Sequence, residues 1–254
     1  GGGAAPAYLL GRLGGRVELV TNLGQDSWSG VLQAEIEAAQ VAIHPVRTGT
    51  TATNIILLSS TGARRSMYYA GEKVDWQRSL EGPTPEFFLA SGFGLVGSED
   101  LQVLHQVFRS LRQRGTKIVF DPSPWFAGRV SCKAMLDVWQ QVFCLVATEE
   151  ELQVWRQAPG AEELALQLLQ EGPEYVVVKR GAEGAAYAAR GKGSGLLPTE
   201  RVASENTVGA GDSFNGRLIY EMCQGNSLAE AVEAAVATAT RVVRRGRGVR
   251  GALD

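Results

Sequence analysis

Short, continuously apolar runs alternate with amphipathic stretches along almost the whole chain. The run KIVF before Asp121 and the run YVVV before Lys179 lack the polar–apolar alternation of a half-exposed strand, as expected for strands covered on both faces. By contrast, the stretch 99–114 places Leu101, Leu104, Val107, Phe108 and Leu111 at helical spacing on one face. Strands are expected at 17–20, 52–59, 66–69, 87–91, 117–121, 142–146, 175–179 and 185–188. Helices are expected at 5–13, 30–39, 99–114, 133–140, 149–157, 161–170, 210–223 and 228–245. Alternation of this kind predicts an α/β fold, a mostly parallel central sheet between two helix layers. Ligands of such sheets sit beyond the C-terminal strand ends. Two segments break the rhythm. Residues 48–69 read as consecutive strands with a turn at Thr61-Gly62-Ala63, a hairpin shaped as a flap. Residues 190–195, RGKGSG, read as a polar glycine-rich loop. With no internal repeat and no linker, a single domain is expected over 1–254, its lid at about 46–71.

Composition narrows the function classes. The chain has 25 Lys and Arg against 27 Asp and Glu, a formal charge of −2, so nothing in the balance suggests a nucleic-acid partner. No apolar run approaches the roughly 20 residues of a membrane span, and no secretory leader is visible. Cys132, Cys144 and Cys223 show no CxxC spacing, so free, reduced and buried thiols in a cytoplasmic protein are expected. With only His44 and His105, a His-rich metal site or a Ser-His-Asp triad has little material.

Candidate chemistry lies in the turns that follow strands, and each turn has a plain reading beside a functional one. In NTVGAGDSFNG, from Asn206 to Gly216, Gly209, Ala210 and Gly211 precede Asp212 and a helical pattern. Asp is a good helix cap, but the same geometry makes an anion-handling turn with a carboxylate base beside it. In ATEEEL, Thr148 and Glu151 have the spacing of a capping box. Glu151 is also placed to hold Mg²⁺ through water, since that ion usually keeps several waters and one or two carboxylates. In VVVKRGAEGAAY, Lys179, Gly181, Glu183 and Gly184 form either a tight turn or a backbone cradle facing phosphates. Asp121 ends a strand where the chain must turn. There is no Walker A loop, because Gly191-Lys192 is followed by Gly193. GFGLVG, from Gly92 to Gly97, matches a dinucleotide fingerprint with Asp121 placed for a ribose hydroxyl. Its helix signal, Ser98-Glu99-Asp100, falls after the third glycine, whereas that fingerprint begins its helix inside the motif. The arginines at 241, 244, 245, 247 and 250 read as the solvated end of a helix.

The order of these turns is more specific than any one of them. A glycine pair near the start, an aspartate turn, T-x-x-E, K-x-G-x-x-G and GAGDSFNG resemble the ribokinase/PfkB family of carbohydrate kinases across essentially the whole chain. The resemblance implies a ribokinase-like α/β/α domain with a small β lid, and transfer of phosphate from ATP with Mg²⁺ to a hydroxyl of a small sugar or sugar derivative. It implies Asp212 as base and Gly209, Ala210 and Gly211 as anion hole. Thr148, Lys179, Gly181, Glu183 and Gly184 would lie along the nucleotide and Glu151 at the metal. Gly1 and Gly2 would touch the substrate. Some members pair lid strands into a homodimer.

Departures from the family pattern bear on the ligands. Asn206 stands where Asp is usual and Arg250 where a small polar residue is common, at positions that contribute to a monovalent-cation site, so K⁺ activation is not expected. Ala5 replaces a substrate-binding Asn, and Ser123 and Trp125 depart from D-x-N-x-R. These substitutions keep open a non-catalytic sugar or nucleotide sensor on the same fold, with an NAD-linked oxidoreductase around Gly92 to Gly97 as a further reading. In the family, a strand, part of the lid and a substrate-binding Asp precede the glycine pair. Sequence ahead of Gly1 is therefore expected.

Overall fold

The runs KIVF and YVVV lie in one sheet. Lys117–Asp121 becomes β6 and Tyr175–Lys179 becomes β8, with Cys144–Thr148 as β7 between them and Phe87–Ser91 as β5 outside β6. The computed structural model that shows this describes residues 2–47, 49–58, 64–69, 71–92, 98–122, 130–203 and 206–253. β5, β6, β7 and β8 are parallel, and β9 (Ala185–Ala189) and β10 (Gly193–Leu197) extend the sheet in antiparallel sense, giving the order β10-β9-β8-β7-β6-β5.

Side chains alternate between the faces of these strands, as the two-residue period of a strand requires. Ile118, Phe120, Leu145, Ala147, Val176 and Val178 pack on one side with α3 (Ser98–Gln113), α4 (Cys132–Trp139), α5 (Glu149–Gln153) and α6 (Ala161–Leu169). Val119, Cys144, Val146 and Val177 pack on the other with α7 (Ala210–Cys223) and α8 (Leu228–Arg245). This is the expected three-layer arrangement.

The first part of the chain forms a smaller unit. Helices α1 (Ala4–Arg12) and α2 (Ser27–Ala38) cover a parallel pair, β1 (Val17–Leu23) and β2 (Val41–Arg47), around Ala7, Leu19, Ile36, Ala39 and Val41. α1 also packs on α7, where a Cβ on Gly216 would lie 3.1 Å from the Pro6 carbonyl oxygen. The expected flap is an antiparallel hairpin of β3 (Thr53–Leu58) and β4 (Arg64–Tyr69); its turn lies outside the described residues. Its roots are tied to the body: Asp26 accepts from Thr51 N and Oγ1, and Asn22 Nδ2 donates to the Glu72 and Lys73 carbonyls.

Several expectations are corrected. The glycine-rich stretch at 190–195 is not simply a loop, because Gly191 and Gly193 turn the chain at positive φ and Gly193–Leu197 pairs with β9 as an edge strand. β2 was not expected. It carries Pro45, which suits a strand with β1 on one side only. α2 starts earlier than expected, capped by Asp26, and the expected helix at 149–157 is helical only over Glu149–Gln153. Cys144 is buried as expected, but Cys132 and Cys223 are exposed; all three are free. Among the described residues no helix is long and apolar enough to cross a membrane.

Candidate active site

Parallel pairing brings three of the strand-end residues together. Thr148 lies opposite Lys179 in register, and Asp121 ends the next strand but one. Beyond these ends is a cavity of about 420 Å³, walled by 148–150 on one side and 179–183 on the other. Thr148, Lys179, Gly181 and Glu183 therefore line a single space. Gly184 closes the turn at φ 90°, where a Cβ would sit 2.0 Å from the Leu197 carbonyl oxygen. Only glycine fits there.

Thr148 and Glu151 form the capping box that their spacing predicts. The Thr148 N–H donates to Glu151 Oε2 at 2.8 Å, and the Glu151 N–H donates to Thr148 Oγ1 at 3.3 Å. The box fixes Glu151 at the strand end without excluding it from ligand chemistry. Among the described residues no group of three or more His, Cys, Asp or Glu is arranged to hold a metal ion. Glu151 is a single carboxylate at the strand end, a donor type that Mg²⁺ takes together with waters. Arg180, within the expected phosphate-facing turn though not singled out in it, forms part of the cavity wall. It pairs with Glu183 and faces Glu149 at 3.8 Å, while its Nε is buried without a hydrogen-bond partner. Both carboxylates compensate its charge, so Arg180 adds no free cation to the cavity wall.

The glycine turn meets the cavity through Lys179. Gly209 caps α7 in the left-handed conformation at φ 82°, and a Cβ on it would lie 2.9 Å from Val249 N. Ala210 and Gly211 open the helix, and Asp212 occupies its first turn, where unsatisfied N–H groups and the helix dipole favour negative charge. Lys179 Nζ lies 3.8 Å from the point that a Cβ on Gly211 would occupy. Burial lowers the tendency of Lys179 to stay charged, but the charges of Asp121, Glu151 and Asp212 more than offset it, so its pKa lies above the ordinary lysine value. Burial pushes the Asp212 carboxyl up; Asp121 adds to that rise and Lys179 opposes it.

Asp121 does not face open space for a ribose. Its Oδ2 accepts from Lys179 Nζ at 2.9 Å and from Asn215 Nδ2 at 2.7 Å. Asn215, buried on α7, was not among the expected site residues; its place three positions after Asp212 is the only sequence signal for it. Of the expected substrate glycines, Gly2 lies in the turn before α1 and Gly1 lies outside the described residues, as do Ser123, Trp125 and residues 93–97 of the glycine motif. α3 begins at Ser98, after that motif. Asn206 accepts from the Val208 N–H and donates to the Gly246 carbonyl. Arg241 and Arg245 donate to carbonyls of the C-terminal tail, Arg244 pairs with Glu200 and Arg250 with Glu35, so these arginines serve the structure.

The chain is similar to known carbohydrate kinases. The model for pfkB family carbohydrate kinases matches residues 1–252. The chain is 30% identical over 258 residues to 1-phosphofructokinase of Escherichia coli (strain K12), covering 96% of this chain and 79% of that protein. It is 24% identical to probable fructokinase-4 of Arabidopsis thaliana, covering 90% and 75%. Among solved structures, ribokinase from Thermotoga maritima superposes with a TM-score of 0.79 at 23% identity, covering 100% of this chain and 84% of that one. A putative ribokinase II from E. coli in complex with ATP and Mg²⁺ superposes with a TM-score of 0.81 at 21% identity, covering 100% and 85%.

Proposed function

The chain belongs to the pfkB family of carbohydrate kinases, and on that premise we propose that it transfers a phosphoryl group from ATP to a hydroxyl of a small sugar or sugar derivative, with Asp212 as the base. One observation carries the reading: Lys179 both lines the cavity and lies beside Gly211, joining a nucleotide-sized space to the helix start that bears Asp212. Phosphoryl transfer asks a protein for positioning and charge stabilisation more than for covalent work. In the Gly209–Gly211 turn the N–H groups of Gly209 and Gly211 supply fixed donors where negative charge builds, the Ala210 N–H donating to the Thr207 carbonyl. Asp212, held in the same turn, takes the proton of the attacking hydroxyl. Gly181, Glu183 and Gly184 shape the phosphate side of the cavity. Glu151 would hold Mg²⁺ through water, and the bound ion would supply neutralisation of phosphate charge.

The Asn206 amide bridges two loops by itself, which supports turnover without K⁺. The β3–β4 hairpin supports a homodimer: Ile55, Leu57, Met67 and Tyr69 are each more than half exposed, and Ile55 lies directly opposite Met67. The test is ATP-dependent phosphorylation across a panel of sugars and sugar phosphates. Turnover by the wild type that disappears in Asp212→Ala is the expected result. Ligand binding with no ADP released from ATP in the presence of any acceptor favours instead the sensor that Ala5, Asn206 and Ser123 raise.

A further inference from the structure

Lys179 is held by side chains from elements far apart in sequence. Asp121 ends β6, Lys179 ends β8, and Asn215 lies on α7 one turn beyond Asp212. Asp121 Oδ2 accepts from both other side chains, and Asn215 Oδ1 stands 3.4 Å from Lys179 Nζ as a further acceptor. The three close a ring, with the asparagine oxygen turned to the cation and its NH₂ to the anion. The ring is withdrawn from water: the Lys179 and Asp121 side chains are 12% and 14% exposed, and Asn215 is 2% exposed. Burying an ion pair is a poor way to gain stability, because desolvation offsets much of the attraction. Fixing the place of one charge is a better account, and the place fixed is beside Gly211 at the start of α7. There the ammonium lies beside the first turn of α7, the end of a helix that favours negative charge.

Resting on the kinase reading above, we propose that Asp121 and Asn215 are positioning residues that hold Lys179 against the start of α7, so that its ammonium meets the phosphoryl group in transfer more than the phosphates of the resting nucleotide. The anions whose charge reaches Lys179 are Asp121, Glu151 and Asp212. Without Asp121, the lysine is left with Glu151 and Asp212, and pairing with Asp212 would engage the carboxylate that must accept the proton. A long flexible side chain needs such restraint, since a displacement of about 1 Å near a reacting centre can cost about 10²-fold in rate.

The test compares ADP·Mg²⁺ affinity with and without aluminium fluoride, a mimic of the transferring group, in the full chain and in Asp121→Asn, Asn215→Ala and Lys179→Met. Wild type is expected to bind ADP more tightly with fluoride. Asp121→Asn and Asn215→Ala are expected to keep ADP affinity within about twofold and to lose roughly 10-fold to 100-fold of the fluoride gain. Combined with Lys179→Met, neither should lose more. Retention of the gain in both variants overturns the inference, as does an equal loss with and without fluoride. Asn215→Ala leaves the ion pair intact, so it decides alone if Asp121→Asn does not fold. A wild type that shows no fluoride gain overturns the kinase reading itself.

Discussion

At Asp212, burial and the neighbouring Asp121 charge favour the protonated carboxyl, and Lys179 opposes them. The balance places the pKa above the 3.8 of an ordinary aspartate, and a base must be ionised to act. The acid limb of kcat should therefore fall at a higher pH than an unperturbed aspartate gives. For stability the sign is the reverse of a salt-bridged carboxylate. A raised folded-state pKa contributes stability that is present below 3.8 and lost as pH rises through the folded value. Asp212→Asn should thus melt at or above the wild-type temperature near neutral pH while kcat falls about 10²–10⁴-fold. Thermal unfolding and initial rates on the same preparation check both halves. At Asn206, the wild-type rate should not change when KCl is replaced by tetramethylammonium chloride, whereas Asn206→Asp should make it respond to K⁺; a K⁺-dependent wild type contradicts this. The place of Asp212 in the first turn of α7 was legible in the sequence because its cap, turn and helix are contiguous. Asn215 was not, because the carboxylate it binds is 94 positions away and only folding brings them together.

Among the elements, β6, β7 and β8 were legible because strands buried on both faces leave uninterrupted apolar runs. β2 and β10 were not, since Pro45 and the glycines at 193 and 195 lower strand propensity where pairing in the fold overrides it. Thr148 and Glu151 were legible as a capping box, which left open whether Glu151 has a second task. Two substitutions separate the tasks. Thr148→Ala should cost about 1 kcal/mol, because the first turn of α5 loses its acceptor. Glu151→Gln keeps the box, since glutamine serves at that position. Its stability should match the wild type while the Mg²⁺ concentration for half-maximal activity rises. Urea unfolding and a Mg²⁺ titration of the rate read the two effects independently. An unchanged Mg²⁺ requirement would leave Glu151 as a cap alone.

At the scale of the molecule, the layered sheet sets the strand-end site, and the hairpin stands apart from it on roots fixed by Asp26 and Asn22. Exposed apolar side chains on both strands of that hairpin favour pairing with a second copy. Sedimentation should find a dimer at micromolar concentration that Ile55→Glu with Met67→Glu converts to a folded monomer; an unchanged mass in that variant contradicts hairpin pairing. The layers and the flap were legible from periodicity, whereas the choice of acceptor was not, because pocket shape depends on contacts between distant segments. The central claim does not need that choice made in advance. Transfer of ³²P from γ-labelled ATP to a panel of sugars and sugar phosphates, by wild type and Asp212→Asn side by side, tests it most directly. Labelled sugar should form with the wild type and be reduced about 10²–10⁴-fold with the variant, at equal ATP affinity. Equal transfer by both proteins would contradict Asp212 as the base, and no transfer by the wild type to any acceptor would contradict the kinase reading as a whole.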